Sequence, residues 1–116
     1  MVGLKSTTPL QVPTMQLLSL YCGLESPALS EAQCRNRLGN LAAKFLPNGH
    51  TILEAAGRWY SPERGIVDEP TLVVQVFAER GSDLWRAAYD LAAAYKDEAR
   101  QDAVIVVRQE IEADFV

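Results

Sequence analysis

The chain has 116 residues, 48% hydrophobic and 22% charged; that is one domain's length with enough apolar surface for a core, and it excludes disordered, collagen-like, coiled-coil and disulfide-scaffold classes. Eleven Lys and Arg against fifteen Asp and Glu leave a net charge of −4, and with no basic run neither a nucleic-acid partner nor an acidic membrane surface is expected. Cys22, Cys34 and the single histidine, His50, are too few for a structural metal set, so no metal or cofactor is expected, and the two thiols read as free and buried in a reducing, cytoplasmic setting.

Residues 1–15 carry Thr7, Thr8, Pro9 and Pro13 without periodicity and read as a flexible arm ahead of a single domain over 16–116. Met15 to Leu24 is apolar and ends near Cys22, but only Lys5 is basic upstream and bulky Tyr21 precedes the cysteine. The run therefore reads as a strand, not an export signal. No stretch reaches the roughly 18 apolar residues of a membrane span.

Leu17–Leu24 is dense enough for a central strand. Ser26-Pro27 breaks it, and Ser30 with Gln33 forms a capping-box pattern. Cys34, Leu38, Leu41, Ala42 and Phe45 then recur at helical spacing until Pro47-Asn48-Gly49 stops the helix. From Thr51 the period changes to two: Thr51, Leu53, Ala55, Gly57 and Trp59 alternate with His50, Ile52, Glu54, Ala56, Arg58 and Tyr60. Ser61 to Pro70, with Pro62, Gly65 and charges, reads as a long hairpin loop, and Thr71–Ala78 as a β-branched strand. Gly81 or Ser82 caps a second helix with the stripe Leu84, Ala88, Leu91, Ala92 and Tyr95. Ala103–Ile111 is the last strand.

Strand, helix, strand, strand, helix, strand is two interleaved β-α-β units. The expected fold is α+β: a ferredoxin-like βαββαβ plait, with an antiparallel four-stranded sheet in the order 4-1-3-2 and both helices on one face. The first and third strands, the most apolar, occupy the centre.

Several short patterns recur together: Leu20 to Leu24 (LYCGL), Pro47, Gly49 and Thr51, then Gly57 and Trp59, then Gly65, Ile66, Glu69 and Pro70, and finally Tyr95-Lys96. In this the chain resembles a family of small bacterial proteins catalogued as a domain of unknown function. Leu46, His50 and Ala55 depart from that family's pattern, which places Phe, an apolar residue and Gly there. The resemblance implies membership in that group and carries no activity, cofactor or catalytic residue with it.

Chemistry is then sought on the sheet face that the helices leave open. Parity assigns to it Ser19, Tyr21, His50, Glu54, Arg58, Tyr60, Val73, Gln75, Phe77, Val104, Val106, Arg108 and Glu110. Val73, Phe77, Val104 and Val106 form an apolar patch, so a homodimer through this face is expected, and a binding or interaction module is the leading functional reading. The alternative is a small enzyme with a pocket between open faces, acting on a small organic substrate. Its ligand candidates are His50, Glu54, Arg58, Tyr60 and Tyr21; consecutive members of the first three lie ~13 Å apart, too far for an acid–base pair by themselves. His50 reads first as a hydrogen-bonded residue at the strand entrance, near the Pro-Asn-Gly turn, and only second as a catalytic group. RNA stacking on Tyr21 and Phe77 is set aside, because the basic-glycine-aromatic signature is missing. Trp59 beside Gly57 is expected to be largely buried, and Arg64 with Glu69-Pro70 reads as turn chemistry before recognition.

Overall fold

The structure, a computed structural model, describes residues 15–116. Its elements are β1 (Met15–Gly23), α1 (Glu31–Phe45), β2 (Thr51–Ser61), β3 (Gly65–Glu79), α2 (Leu84–Glu98) and β4 (Ile105–Ile111). The described strands form one antiparallel sheet ordered β2-β3-β1-β4. This is the ferredoxin-like plait, with β1 and β3 central. Residues 1–14 of the expected arm lie outside the described residues, and Met15 already belongs to β1. Among the described residues no helix is long and apolar enough to cross a membrane.

α1 starts on the capping box. The Ser30 hydroxyl accepts from the Gln33 N–H (3.2 Å), and the Gln33 side-chain oxygen accepts from the Ser30 N–H (2.9 Å). α2 is capped by Asp83, one residue later than expected. Gly81, at φ +85°, turns the chain out of β3, and the Asp83 carbonyl takes the first helical bonds, from Arg86 and Ala87 (3.0 and 3.3 Å). Both apolar stripes pack on the same sheet face, where Leu18, Leu20 and Cys22 of β1 and Leu72, Val74, Val76 and Ala78 of β3 meet Leu38, Ala42, Ala88, Leu91 and Tyr95. Cys22 and Cys34 are free and buried there.

Two expectations are corrected. The segment Ser61–Pro70 is mostly strand: only residues 62–64 turn, Gly65 takes φ +75°, and β3 pairs Ile66 with Tyr60, Val67 with Trp59 and Asp68 with Arg58. This ribbon extends past the last β1–β3 pair, Gly23 with Thr71. Solvent reaches most of it. Along β3 Gly65, Val67 and Glu69 are more covered than Ile66, Asp68 and Pro70, but Ile66 and Val67 are both apolar and Asp68 and Glu69 both acidic, so the residue types do not follow the burial. Pro70 falls where its missing N–H costs the ladder little.

The second correction is parity on the outer strands. Ile52 pairs with Val74, and Val106 with Leu20. Since Val74 and Leu20 are in the core, the even residues of β2 and β4 point to the helix side. His50, Glu54, Arg58 and Tyr60, and likewise Val104, Val106, Arg108 and Glu110, therefore do not share the open face with Tyr21, Val73 and Phe77. In β4 the helix-side set, Val106, Arg108 and Glu110, is the more polar one and the open-face set, Ile105, Val107, Gln109 and Ile111, the more apolar, and β2 is exposed on both faces, so neither strand's alternation marks which side is covered.

Candidate functional site

The residues proposed from sequence do not converge. Glu54 is bound by the Arg35 guanidinium of α1 (2.6 and 3.1 Å), which holds its carboxyl below the usual carboxylate range. Arg58 is paired with Asp68 across the hairpin (2.6 and 3.3 Å). The Nδ1 of His50 lies 3.0 Å from the Leu46 carbonyl oxygen, at the strand entrance. Tyr60 is exposed near the hairpin tip, and Tyr21 stands on the opposite face of the sheet. Of the interface candidates, Val73 and Phe77 lie on the open face, Val73 buried and Phe77 exposed, whereas Val104 and Val106 pack against the helix-side core.

A different constellation forms at the end of the sheet where β1 stops, β4 begins and the hairpin continues past both. Its centre is the Glu69 carboxylate. One oxygen accepts from the Trp59 indole N–H (3.0 Å) and the other from the Glu25 backbone N–H (2.9 Å). The carboxylate lies over Gly23, where a Cβ would come within 2.5–2.6 Å of its atoms. A Cβ at Gly57 would sit 2.6 Å from the Thr71 hydroxyl oxygen, and that hydroxyl donates to the Glu69 carbonyl (3.2 Å). Two glycines thus clear the space that Glu69 and its neighbour use.

Below this layer, the fully buried Tyr95 hydroxyl donates to the Gly23 carbonyl. Burial pushes the phenol's pKa upward, which keeps it a neutral donor. At the end of α2, Arg100 takes a left-handed φ of +51°, so the Gln101 N–H closes on the Lys96 carbonyl (2.9 Å) and the Gln101 amide donates to the Glu25 carbonyl. From the hairpin turn, Arg64 reaches a Glu25 carboxylate oxygen (3.4 Å) and places its guanidinium 5.9 Å from the Trp59 ring centroid. These groups enclose a cleft of about 390 Å³ lined by Glu25, Trp59, Arg64, Glu69, Asp102 and Ile105, among others.

Trp59 is consequently 38% exposed, not buried as expected: it forms a wall of the cleft. The sequence reading missed Glu25, Gly23 and Tyr95 as parts of a site and placed Glu69 and Arg64 in a turn. A signal was present, since Gly23, Gly57, Trp59, Glu69 and Tyr95 all belong to the pattern that carries the family resemblance. The cleft offers an aromatic face, carboxylates and a guanidinium, a set suited to holding a ligand. Burial pushes the Cys22 thiol up to about 12, so it is no nucleophile near neutral pH. Among the described residues no three His, Cys, Asp or Glu side chains are grouped as metal ligands.

Residues 18–115 match the family described as "Protein of unknown function (DUF3574)". The chain belongs to this family. No curated protein matches the sequence. Among solved structures, the chain is similar to a phage SAM lyase in complex with S-methyl-5'-thioadenosine, at 16% identity and a TM-score of 0.65, covering 90% of this chain and 87% of that one. A phage SAM lyase in the apo state gives 15% identity and a TM-score of 0.62, covering 96% and 99%. CutA from Synechococcus elongatus PCC7942 gives 8% identity and a TM-score of 0.53, covering 89% and 81%. At these identities the likeness is one of fold.

Proposed function

We propose that the protein is a self-associating binding domain, with copies packed through the open sheet face and a small organic ligand held in the Trp59–Glu69 cleft beside it. The composition of that face carries the reading. Tyr21, Leu53, Phe77 and Ile105 are 43, 44, 47 and 63% exposed there. Between them Gln75 donates to the Ser19 hydroxyl (3.2 Å), a neutral pair. By the strand register, the charged residues pointing to this side are Glu69, inside the cleft, and Glu79, at the far end of β3. A two-fold axis sets a patch against itself, so a face without charges at its centre meets its copy without like-charge repulsion. Apolar surface of this extent marks contacts, and a stable one buries on the order of 1,600 Å² in total. The free thiols suit a reducing compartment such as the cytoplasm.

Phe77→Glu tests the association. It places a charge on the face between the Gln75–Ser19 pair and Glu79, where desolvation without a partner is unfavourable. Wild type should sediment as an oligomer and the variant as a monomer with unchanged circular dichroism. Wild type sedimenting as a monomer at micromolar concentration refutes the association. An enzymatic reading draws on the phage SAM lyase structure that contains S-methyl-5'-thioadenosine. Incubation with S-adenosylmethionine, followed by chromatography for that thioadenosine, separates catalysis from binding.

A further inference from the structure

We propose that the cleft receives a small organic cation with a flat or apolar body, and that Arg64 is the built-in occupant such a ligand displaces. This rests on the cleft being a binding site, and is independent of self-association.

The Arg64 guanidinium already makes the two contacts by which proteins recognise organic cations. It lies 5.9 Å from the centroid of the Trp59 ring and 3.4 Å from a Glu25 carboxylate oxygen. Yet it is loosely held. Arg64 comes from the short turn between β2 and β3, and the side chains of the pair are 58% and 47% exposed, so water screens it and it opens readily. The receiving wall is held by more contacts. The Trp59 ring is fixed through its N–H to Glu69, and Glu69 is fixed by Trp59, by the Glu25 backbone and by the fit over Gly23.

Charge gives the sign of the ligand. Glu25, Glu69 and Asp102 line the cleft together with Arg64 and Arg100. When Arg64 swings out, the lining is left with three acidic residues and one arginine. Each Glu69 oxygen accepts one of the bonds above and retains a further lone pair. Pro27, Ala103 and Ile105 supply apolar wall for the ligand's body. A quaternary ammonium or a sulfonium fits this set better than a primary ammonium, because its charge is cloaked in apolar carbon and is less costly to strip of water.

The test uses the full chain carrying Trp85→Phe, which leaves Trp59 as its one tryptophan. Phenyltrimethylammonium is titrated beside benzenesulfonate and benzyl alcohol, with Trp59 fluorescence and calorimetry as readouts. The cation should bind saturably and about tenfold more tightly than either comparator. Arg64→Ala should tighten it about fivefold by removing the competitor, and Glu69→Gln should weaken it about tenfold. Circular dichroism checks each fold, and Trp59→Phe, read by calorimetry, repeats the test with a weaker aromatic face. Equal or tighter binding of the sulfonate or the alcohol overturns the cation assignment while leaving the cleft a binding site. Weaker binding of the cation by Arg64→Ala overturns the displaced-occupant role. No binding of any probe by either wild type or Arg64→Ala overturns both this inference and the ligand half of the proposed function.

Discussion

Tyr95→Phe removes one oxygen from the centre of the molecule and leaves the ring packing in place. The side chain is fully buried and its hydroxyl donates to the carbonyl of Gly23, itself buried. The variant loses that bond and leaves a buried acceptor short of a donor, which costs about 1–3 kcal/mol. For a chain of this size each kcal/mol lowers Tm by about 4 °C, so a fall of roughly 4–12 °C is expected. The pH dependence supplies a second, independent readout. Burial raises the Tyr95 phenol above its ordinary value of about 10, so the native state keeps its proton after the unfolded chain has lost it. Above about pH 10 the unfolded state binds fewer protons, and wild-type stability falls with pH by up to ~1.4 kcal/mol per unit from this group alone. Its contribution is complete below about pH 10 and is lost as pH rises further. The variant has no such group, so the stability gap between the two proteins should narrow from about pH 10 upward. Cys22, also raised by burial, titrates in both proteins and cancels. Urea unfolding followed by circular dichroism at pH 7 and at steps to pH 11 measures both effects. A loss under about 0.5 kcal/mol at pH 7, or a gap that stays constant to pH 11, refutes the reasoning.

Gly23→Ala drives a methyl group into the Glu69 carboxylate, but the atoms it meets are the far end of a flexible side chain. The expected outcome is a modest stability loss of about 1–2 kcal/mol from the two broken hydrogen bonds, with a shifted Trp59 emission. The same substitution made on Glu69→Ala should cost much less, and a thermodynamic cycle showing no coupling between the two sites would refute the contact. Ser30→Ala removes the α1 cap and should cost about 1 kcal/mol in urea unfolding, with Trp59 emission unchanged.

What the sequence determined by itself is the series of elements and much of their order in space. Helical spacing of Cys34, Leu38, Leu41 and Ala42, the reciprocal bonds available to Ser30 and Gln33, and the dense apolar runs of β1 and β3 are local properties. They specify α1, its first residue and the two central strands without reference to anything distant. The reach of the hairpin was not legible in the same way. Pro62, Gly65 and Pro70 mark turns in general, and the residue types do not follow the burial along 65–70 closely enough to outweigh them: Ile66 and Val67 are both apolar, Asp68 and Glu69 both acidic. Nor was the face of β2 or β4. A period of two says that neighbours point oppositely, but which set is covered depends on the pairing of Ile52 with Val74 and of Val106 with Leu20. Such register is a non-local choice, and in β4 the more apolar set, Ile105, Val107 and Ile111, is the one that faces away from the helices. The cleft is the extreme case. Gly57 and Trp59 stood out as a pattern, but Trp59 alone reads as core. Only the fold carries Tyr95 to Gly23, 72 positions away in the chain, and Glu69 to Glu25, 44 positions away. Once there, the missing Cβ of Gly23 lets the carboxylate settle, and two N–H groups hold it beside an indole wall: a site whose parts are ordinary in sequence and acquire a joint role through their distance in space.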